Sequence, residues 1–180
     1  MIEIRLHGRG GQGVVTAAEL LATAAFLDGK HTQAFPTFGS ERMGAPVASF
    51  VRISDHPIRV RSQIYEPQHV IVQDPTLIGT VDVFAGLKAG GLVLINTEKP
   101  VSELKIKGSG NVVTIPATQI AMEIIGRPIP NTVMVGAFAA LTGIVTMDGI
   151  RKAMAHKFKG DVAAKNVVAA EKAYNMLKKK

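Results

Sequence analysis

Within its first 28 residues the chain runs from an apolar strand, through a glycine turn, into a long apolar helix. The segment reads Met1-Ile-Glu-Ile-Arg-Leu-His-Gly-Arg-Gly-Gly-Gln-Gly13, which sets Gly8, Gly10 and Gly13 at G-x-G-x-x-G spacing. A helix is expected over residues 14–28, closed by Gly29. Its polar stripe is only Thr16, Glu19 and Thr23, and Val15, Ala18, Leu21, Ala22 and Ala25 surround it. A helix that apolar must be covered on most sides, as it is beside a central sheet. Glycines permit a tight turn and let a ligand approach the backbone. The helix start behind them offers N–H groups and partial positive charge to a phosphate. The same turn also serves as a plain tight connection between strand and helix.

Further along, short apolar runs alternate with helical patterns. Strands are expected over residues 32–35, 70–72, 92–95 and 112–115. Two more, over residues 47–53 and 58–64, read as an edge hairpin turning at Asp55-His-Pro57. The stretch 37–46 reads as a loop broken by Gly39, Gly44 and Pro46. Helices are expected from 75 to about 87, over 117–125, from Asn131 through Gly143 with Asn131 as cap, and over 148–156 and 161–178. Alternation of this kind predicts a mainly parallel sheet covered on both faces. The expectation is one Rossmann-like, three-layer α/β domain spanning residues 1–180, with neither repeat nor linker.

With 47% apolar and 19% charged residues over 180 positions, the chain has material for one sizeable core and is not disordered. The net charge of +7 is confined to one end. Residues 151–180 hold nine basic side chains against Asp161 and Glu171, and the rest is neutral. Such a helix can meet an acidic partner or simply present a solvated face. It offers only Phe158 and Tyr174 as aromatics, so no stacking platform for a single strand of nucleic acid is expected. A strand carrying Glu3 and Arg5 stands where a secretory signal would be apolar, and the apolar run at 132–145 is too short to span a membrane. The expected location is the cytoplasm, away from membranes. There is no cysteine, hence no disulfide, thiolate or iron–sulfur ligand.

In open parallel sheets, ligands sit beyond the C-terminal strand ends. The glycine turn, the loop after Phe38, Asn96-Thr97 and Asn131-Thr132 all fall at such ends. Gln12, Ser40, Asn96, Thr97 and Asn131 would supply uncharged hydrogen bonds, and Arg42 a guanidinium for phosphate. Each also serves as an ordinary turn or cap residue. An acidic residue to hold a ribose is missing after the second strand, which disfavours a nicotinamide dinucleotide. No G-K-[ST] follows the glycines either. The five histidines show no metal-ligand spacing, and His7 reads as a packed or turn-bonding histidine. No catalytic constellation emerges. The chain reads as a ligand-binding part of an enzyme.

Taken together, Gly8-Arg-Gly-Gly-Gln-Gly13, Phe38-Gly-Ser-Glu-Arg-Met-Gly-Ala-Pro46, Gln63-Ile-Tyr-Glu-Pro67, Asn96-Thr97-Glu98, Asn131-Thr132 and Phe158-Lys-Gly-Asp-Val-Ala-Ala-Lys-Asn166 resemble the gamma components of 2-oxoacid:ferredoxin oxidoreductases, pyruvate:ferredoxin oxidoreductase (pyruvate synthase) in particular. The resemblance covers essentially the whole chain. It implies a subunit inactive alone, working with alpha, beta and delta partners. Those partners would hold thiamine diphosphate, magnesium and iron–sulfur clusters and deliver electrons to ferredoxin, while this chain helps to bind coenzyme A. By the same resemblance, Gly8, Gly10, Gly11, Gln12 and Gly13 would meet the pyrophosphate. Ser40, Glu41 and Arg42 would lie on a nucleotide-facing loop, whose basic pattern Glu41 departs from, with Arg42 as phosphate partner. Asn96, Thr97 and Asn131 would line the same cleft. Related complexes acting on branched-chain or aromatic 2-oxoacids, and a purely architectural role, are the alternatives.

Overall fold

The computed structural model describes residues 1–37, 43–106, 108 and 110–178. Six strands form one sheet: β1 (Ile2–Arg9), β2 (His31–Pro36), β3 (Pro46–Ser54), β4 (His69–Val72), β5 (Leu92–Asn96) and β6 (Asn111–Ile115). Their order is β2-β3-β1-β4-β5-β6. On one side of β1 the pairing is antiparallel, Ile2 opposite Ile53 through Arg9 opposite Pro46. On the other side β4, β5 and β6 run parallel to it and to one another. The chain leaves β1 for one half of the sheet and returns to the other. The C-terminal end of β1 is therefore a switch point, where such sheets open a crevice.

Five helices, α1 (Val14–Leu27), α2 (Ala117–Ile124), α3 (Asn131–Thr142), α4 (Met147–Lys157) and α5 (Gly160–Leu177), form a single layer. They pack with Ile4, Leu6, Val51, Ile53, Ile71, Leu94 and Ile115, the side chains on one face of the sheet. The helix α3 is buried on all sides from Asn131 to Ala139, which explains its lack of polar periodicity. Its Gly136 brings it against α5, because a Cβ there would strike the carbonyl of Ala170.

The opposite face is covered by irregular chain. Val70, Val72, Val93 and Ile95 pack there against Leu77, Val83 and neighbouring apolar side chains of residues 78–112. The helix expected from residue 75 to about 87 does not form. Asp74 Oδ1 accepts the Thr76 N–H at 2.9 Å and starts one 3-10 turn, Pro75–Leu77. Gly79 at φ 94° and Gly86 at φ 68° then turn the chain out of helical geometry.

The edge hairpin exists, but between other segments than the sequence suggested. The partner of β3 is β2, with His31 opposite Ser54 through Pro36 opposite Ser49. With β1 on its other side, β3 has no free edge for residues 58–64, which form no strand. The guanidinium of Arg52, 1% exposed, holds that segment instead by donating to the Ser62 carbonyl at 2.8 Å. It also pairs with Glu3 at 2.8 Å.

Candidate functional site

The parallel half of the sheet delivers the ends of β1, β4, β5 and β6 to one rim, where α1, α2 and α3 begin. Around this rim the glycine turn is locked from below. Gln12 N–H donates to the Arg9 carbonyl at 3.1 Å, and Gln12 Oε1 accepts the Arg9 N–H at 2.7 Å. The other half of the Gln12 amide donates to Asp74 Oδ2 at 2.7 Å, tying β1 to the end of β4. Arg9 completes the tie, with Nε 3.3 Å from Asp74 Oδ2 and Nη2 2.9 Å from Thr76 Oγ1. Burial alone would push the Asp74 carboxyl up. Hydrogen bonds from Thr76 and Gln12 and the charge of Arg9 outweigh burial and hold its pKa below the usual carboxylate value. Gly10 joins the segment Met43–Ala45, donating to the Ala45 carbonyl at 2.9 Å and accepting the Gly44 N–H at 3.1 Å. Met43 stands over Gly11 and is 86% exposed.

Gly13 takes the left-handed conformation, φ 70°, and leads straight into α1. A Cβ there would collide with the amide of Asn131, so two helix starts meet across that glycine. The three starts at the rim differ in what satisfies their first N–H groups. Asn96 Oδ1 accepts the Thr118 N–H at 3.1 Å and so caps α2 from a neighbouring strand. Its Nδ2 donates to the Gln73 carbonyl and to Thr118 Oγ1, both at 2.8 Å. Asn131 Oδ1 accepts the Thr132 N–H of α3 at 2.8 Å. No side chain caps α1, whose first turn carries no acidic residue. An uncapped start presents several main-chain N–H groups and roughly half a positive charge. It is the natural seat for an anion at this rim.

The glycines, Gln12, Asn96 and Asn131 are thus brought together. The amides of Gln12 and Asn96, however, are engaged by hydrogen bonds within the protein, although Asn96 still lines part of the rim. Thr97 borders a shallow cleft of about 360 Å³ at the ends of β5 and β6, with Pro75, Glu98, Lys99 and Gln119. Ser40, Glu41 and Arg42 lie outside the described residues. His7 is packed, as its residue context suggests. It is buried beneath the irregular layer and accepts from Arg5 Nε at 2.9 Å. Burial first, then the charge of Arg5, pushes its pKa down to about 3, so it stays neutral.

Two features escape sequence reasoning. Gln73, next to Asp74 at the end of β4, is 1% exposed, and among the described residues neither atom of its side-chain amide has a partner. A polar residue ending an apolar strand was its only signal. The Arg9–Asp74 tie depends on β1 and β4 being neighbours, which no local pattern reveals. Among the described residues no group of three His, Cys, Asp or Glu side chains converges to hold a metal. None of their helices is long and apolar enough to cross a membrane. The arrangement is suited to receiving an anion.

The chain is similar to known proteins over nearly its whole length. The profile of the family described as "Pyruvate ferredoxin/flavodoxin oxidoreductase" matches residues 3–176. Pyruvate synthase subunit PorC of Methanocaldococcus jannaschii is 57% identical over 180 residues, 100% of this chain and 99% of that one. The "Pyruvate/ketoisovalerate oxidoreductases common subunit gamma" of Thermococcus kodakarensis is 55% identical over 178 residues, covering 97% of this chain and 96% of its own. The crystal structure of pyruvate oxidoreductase subunit PORC from Thermotoga maritima superposes with a TM-score of 0.85 at 38% identity, covering 97% and 95% of the two chains.

Proposed function

The chain belongs to the pyruvate ferredoxin/flavodoxin oxidoreductase family as a gamma-type subunit, and we propose that within a multi-subunit complex it forms the coenzyme A side of the catalytic cleft. The reaction of that complex takes pyruvate, coenzyme A and oxidised ferredoxin to acetyl-CoA, carbon dioxide and reduced ferredoxin, reversibly. Thiamine diphosphate with magnesium supplies the decarboxylation chemistry when bound, and iron–sulfur clusters carry the electrons. This chain has no cysteine, and its described residues gather no metal-ligand cluster. Its residues fit neither group, which we assign to the alpha, beta and delta partners.

The part left to this chain is placement. The N–H groups at the start of α1 hold the pyrophosphate, and the Arg9–Gln12–Asp74 tie keeps the turn from yielding. The thiol is thereby held where the acyl group is handed over. Fixing a reactant in this way is worth as much as about 7–11 kcal/mol of a barrier in well-aligned systems. The observation that carries this reading is the uncapped start of α1 at a switch point of the sheet, in contrast to α2 and α3, where Asn96 and Asn131 each take up an early N–H. The choice of 2-oxoacid falls to other subunits, a division supported by the T. kodakarensis relative, whose name makes it common to pyruvate and ketoisovalerate enzymes.

Thr16, in the first turn of α1, provides the test. Replacing it with Asp puts a carboxylate where the helix dipole favours one, so the fold gains about 0.3–1 kcal/mol. The same carboxylate competes with pyrophosphate for the N–H groups. In the assembled complex T16D is expected to raise KM for coenzyme A about tenfold or more and to leave KM for pyruvate unchanged. The internally bonded amides of Gln12 and Asn96 favour a second, architectural reading, in which the turn only packs the sheet. On that reading T16D leaves KM for coenzyme A unchanged.

A further inference from the structure

Residues 151–180 carry the whole basic excess of the chain, and the pyrophosphate reading leaves that excess without a task. Along α5, Lys165, Val168, Lys172 and Met176 follow at spacings of three and four, so they form one stripe on the helix surface. Glu123 of α2 meets Lys172 at 2.7 Å, which sets α2 alongside this stripe. Four of the ten large apolar side chains that the described residues leave exposed belong to this helix pair: Met122, Val162, Val168 and Met176, each about half exposed. At the end of the stripe lies a cavity of about 290 Å³, between the end of α2, the start of α3 and the start of α5. Ile129, Phe158 and Val162 give it apolar walls, and Arg127, Lys165 and one carboxylate, Asp161, line it as well. Among the described residues none of these three charged groups makes an ion pair. We propose that this face docks an acidic, apolar helical segment of another subunit, one of whose carboxylates enters the cavity between Arg127 and Lys165.

Length, charge and rigidity support it together. From Val162 to Met176 the face runs for roughly 20 Å along α5, at about 1.5 Å per residue. That is too long for a small ligand and suits a few turns of helix laid alongside. Apolar side chains scattered singly over a surface need no explanation, whereas a group gathered on one helix pair marks a protein contact. The charge selects the occupant. A carboxylate matches Arg127 and Lys165, which would be costly to cover without one. A second copy of this chain would bring the same unpaired cations against each other. A nucleic acid would use the cations and leave the apolar stripe in water. An acidic segment with an apolar side satisfies both. The face is also preformed. Buried Asn166 accepts the Thr132 hydroxyl at 2.8 Å through its Oδ1, fixing the start of α5 on α3, while the Lys172–Glu123 pair holds α2. A rigid face loses little freedom on binding. This contact is independent of the anion seat at α1.

The test uses the assembled complex, recovered through an affinity tag on a different subunit. In R127E/K165E the apparent Kd of this chain for the rest of the complex should rise about tenfold or more, as a charge-assisted contact gives way to repulsion. R59E/R61E makes the same charge change in exposed side chains near the opposite edge of the sheet. It should move Kd less than about twofold, as ordinary surface charges do. V168K keeps a good helix former at an exposed site and puts a cation where the apolar contact forms, so it should raise Kd about fivefold or more. A thermal melt of each variant checks that the fold survives. An unchanged Kd in R127E/K165E overturns the proposal, and so does equal weakening by R59E/R61E. Tighter retention of V168K overturns it too, since only a partner without an apolar side gains from an added cation. The native complex supplies a measurement that needs no variant. Carbodiimide should join Lys165 to an Asp or Glu of a different subunit. The absence of that link, or a link only to Asp161 of its own chain or to a second copy, contradicts the assignment.

Discussion

At the scale of single residues, the second face of the sheet carries more buried polarity than its strands suggest. Arg5 and His7 occupy β1 positions where apolar side chains would be ordinary, and Arg5 is satisfied by the carbonyls of Val83 and Ala85 at 3.2 and 2.6 Å. Neutral His7 is the acceptor that its Nε requires. Protonating His7 would place two cations side by side in a buried layer. Its pKa is about 3 in the folded chain against 6.5 unfolded, so between those values the unfolded state binds more protons. Stability contributed by His7 is thus fully present above pH 6.5 and is lost as pH falls towards 3, by up to about 1.4 kcal/mol per pH unit. His69, whose pKa burial also lowers, adds in the same direction. Urea unfolding followed from pH 7 to pH 4 should show this loss. The variant H7N should be weaker at neutral pH and show a flatter profile; an unchanged slope would mean that His7 is already charged in the fold.

Among the elements, those with strong local patterns are legible from sequence and those defined by distant partners are not. The apolar run of α1 and the short strands β4, β5 and β6 lie within a residue or two of their expected bounds, because each is specified by its own periodicity and breakers. Residues 75–87 carry helix-like apolar spacing, yet their apolar side chains serve to cover the sheet, and glycines decide the path. Residues 58–64 alternate like a strand but find no open edge. The contact of α3 with α5 is likewise invisible in either helix alone, since Gly136 gains its meaning only from the Ala170 backbone opposite. Changing Gly136 to Val should force the helices apart at a cost of about 3 kcal/mol or more, above the usual range for overpacking because backbone and not a flexible side chain is struck. Chemical denaturation of the isolated subunit measures this, and a loss under about 1 kcal/mol would show that the helix pair has slack.

For the molecule as a whole, sequence alone located the rim but not how it is built. The glycine turn, Asn96 and Asn131 were readable as strand-end and helix-start residues. That the amides of Gln12 and Asn96 are taken up within the protein, while α1 is left uncapped, follows from the order of strands in the sheet, which no segment encodes by itself. The charge distribution shows the same contrast. The basic excess of residues 151–180 reads as a tail property, yet Lys165 from that stretch faces a cavity beside the rim. Hydrogen–deuterium exchange on the assembled complex, with and without coenzyme A, tests most directly whether the start of α1 is the anion seat. Bound coenzyme A should slow exchange of the backbone N–H groups of residues 11–17, which lack side-chain caps in the free rim, while those at the start of α4, beside the far end of α1, exchange as before. Unchanged exchange at residues 11–17, under conditions where coenzyme A is turned over, would contradict it.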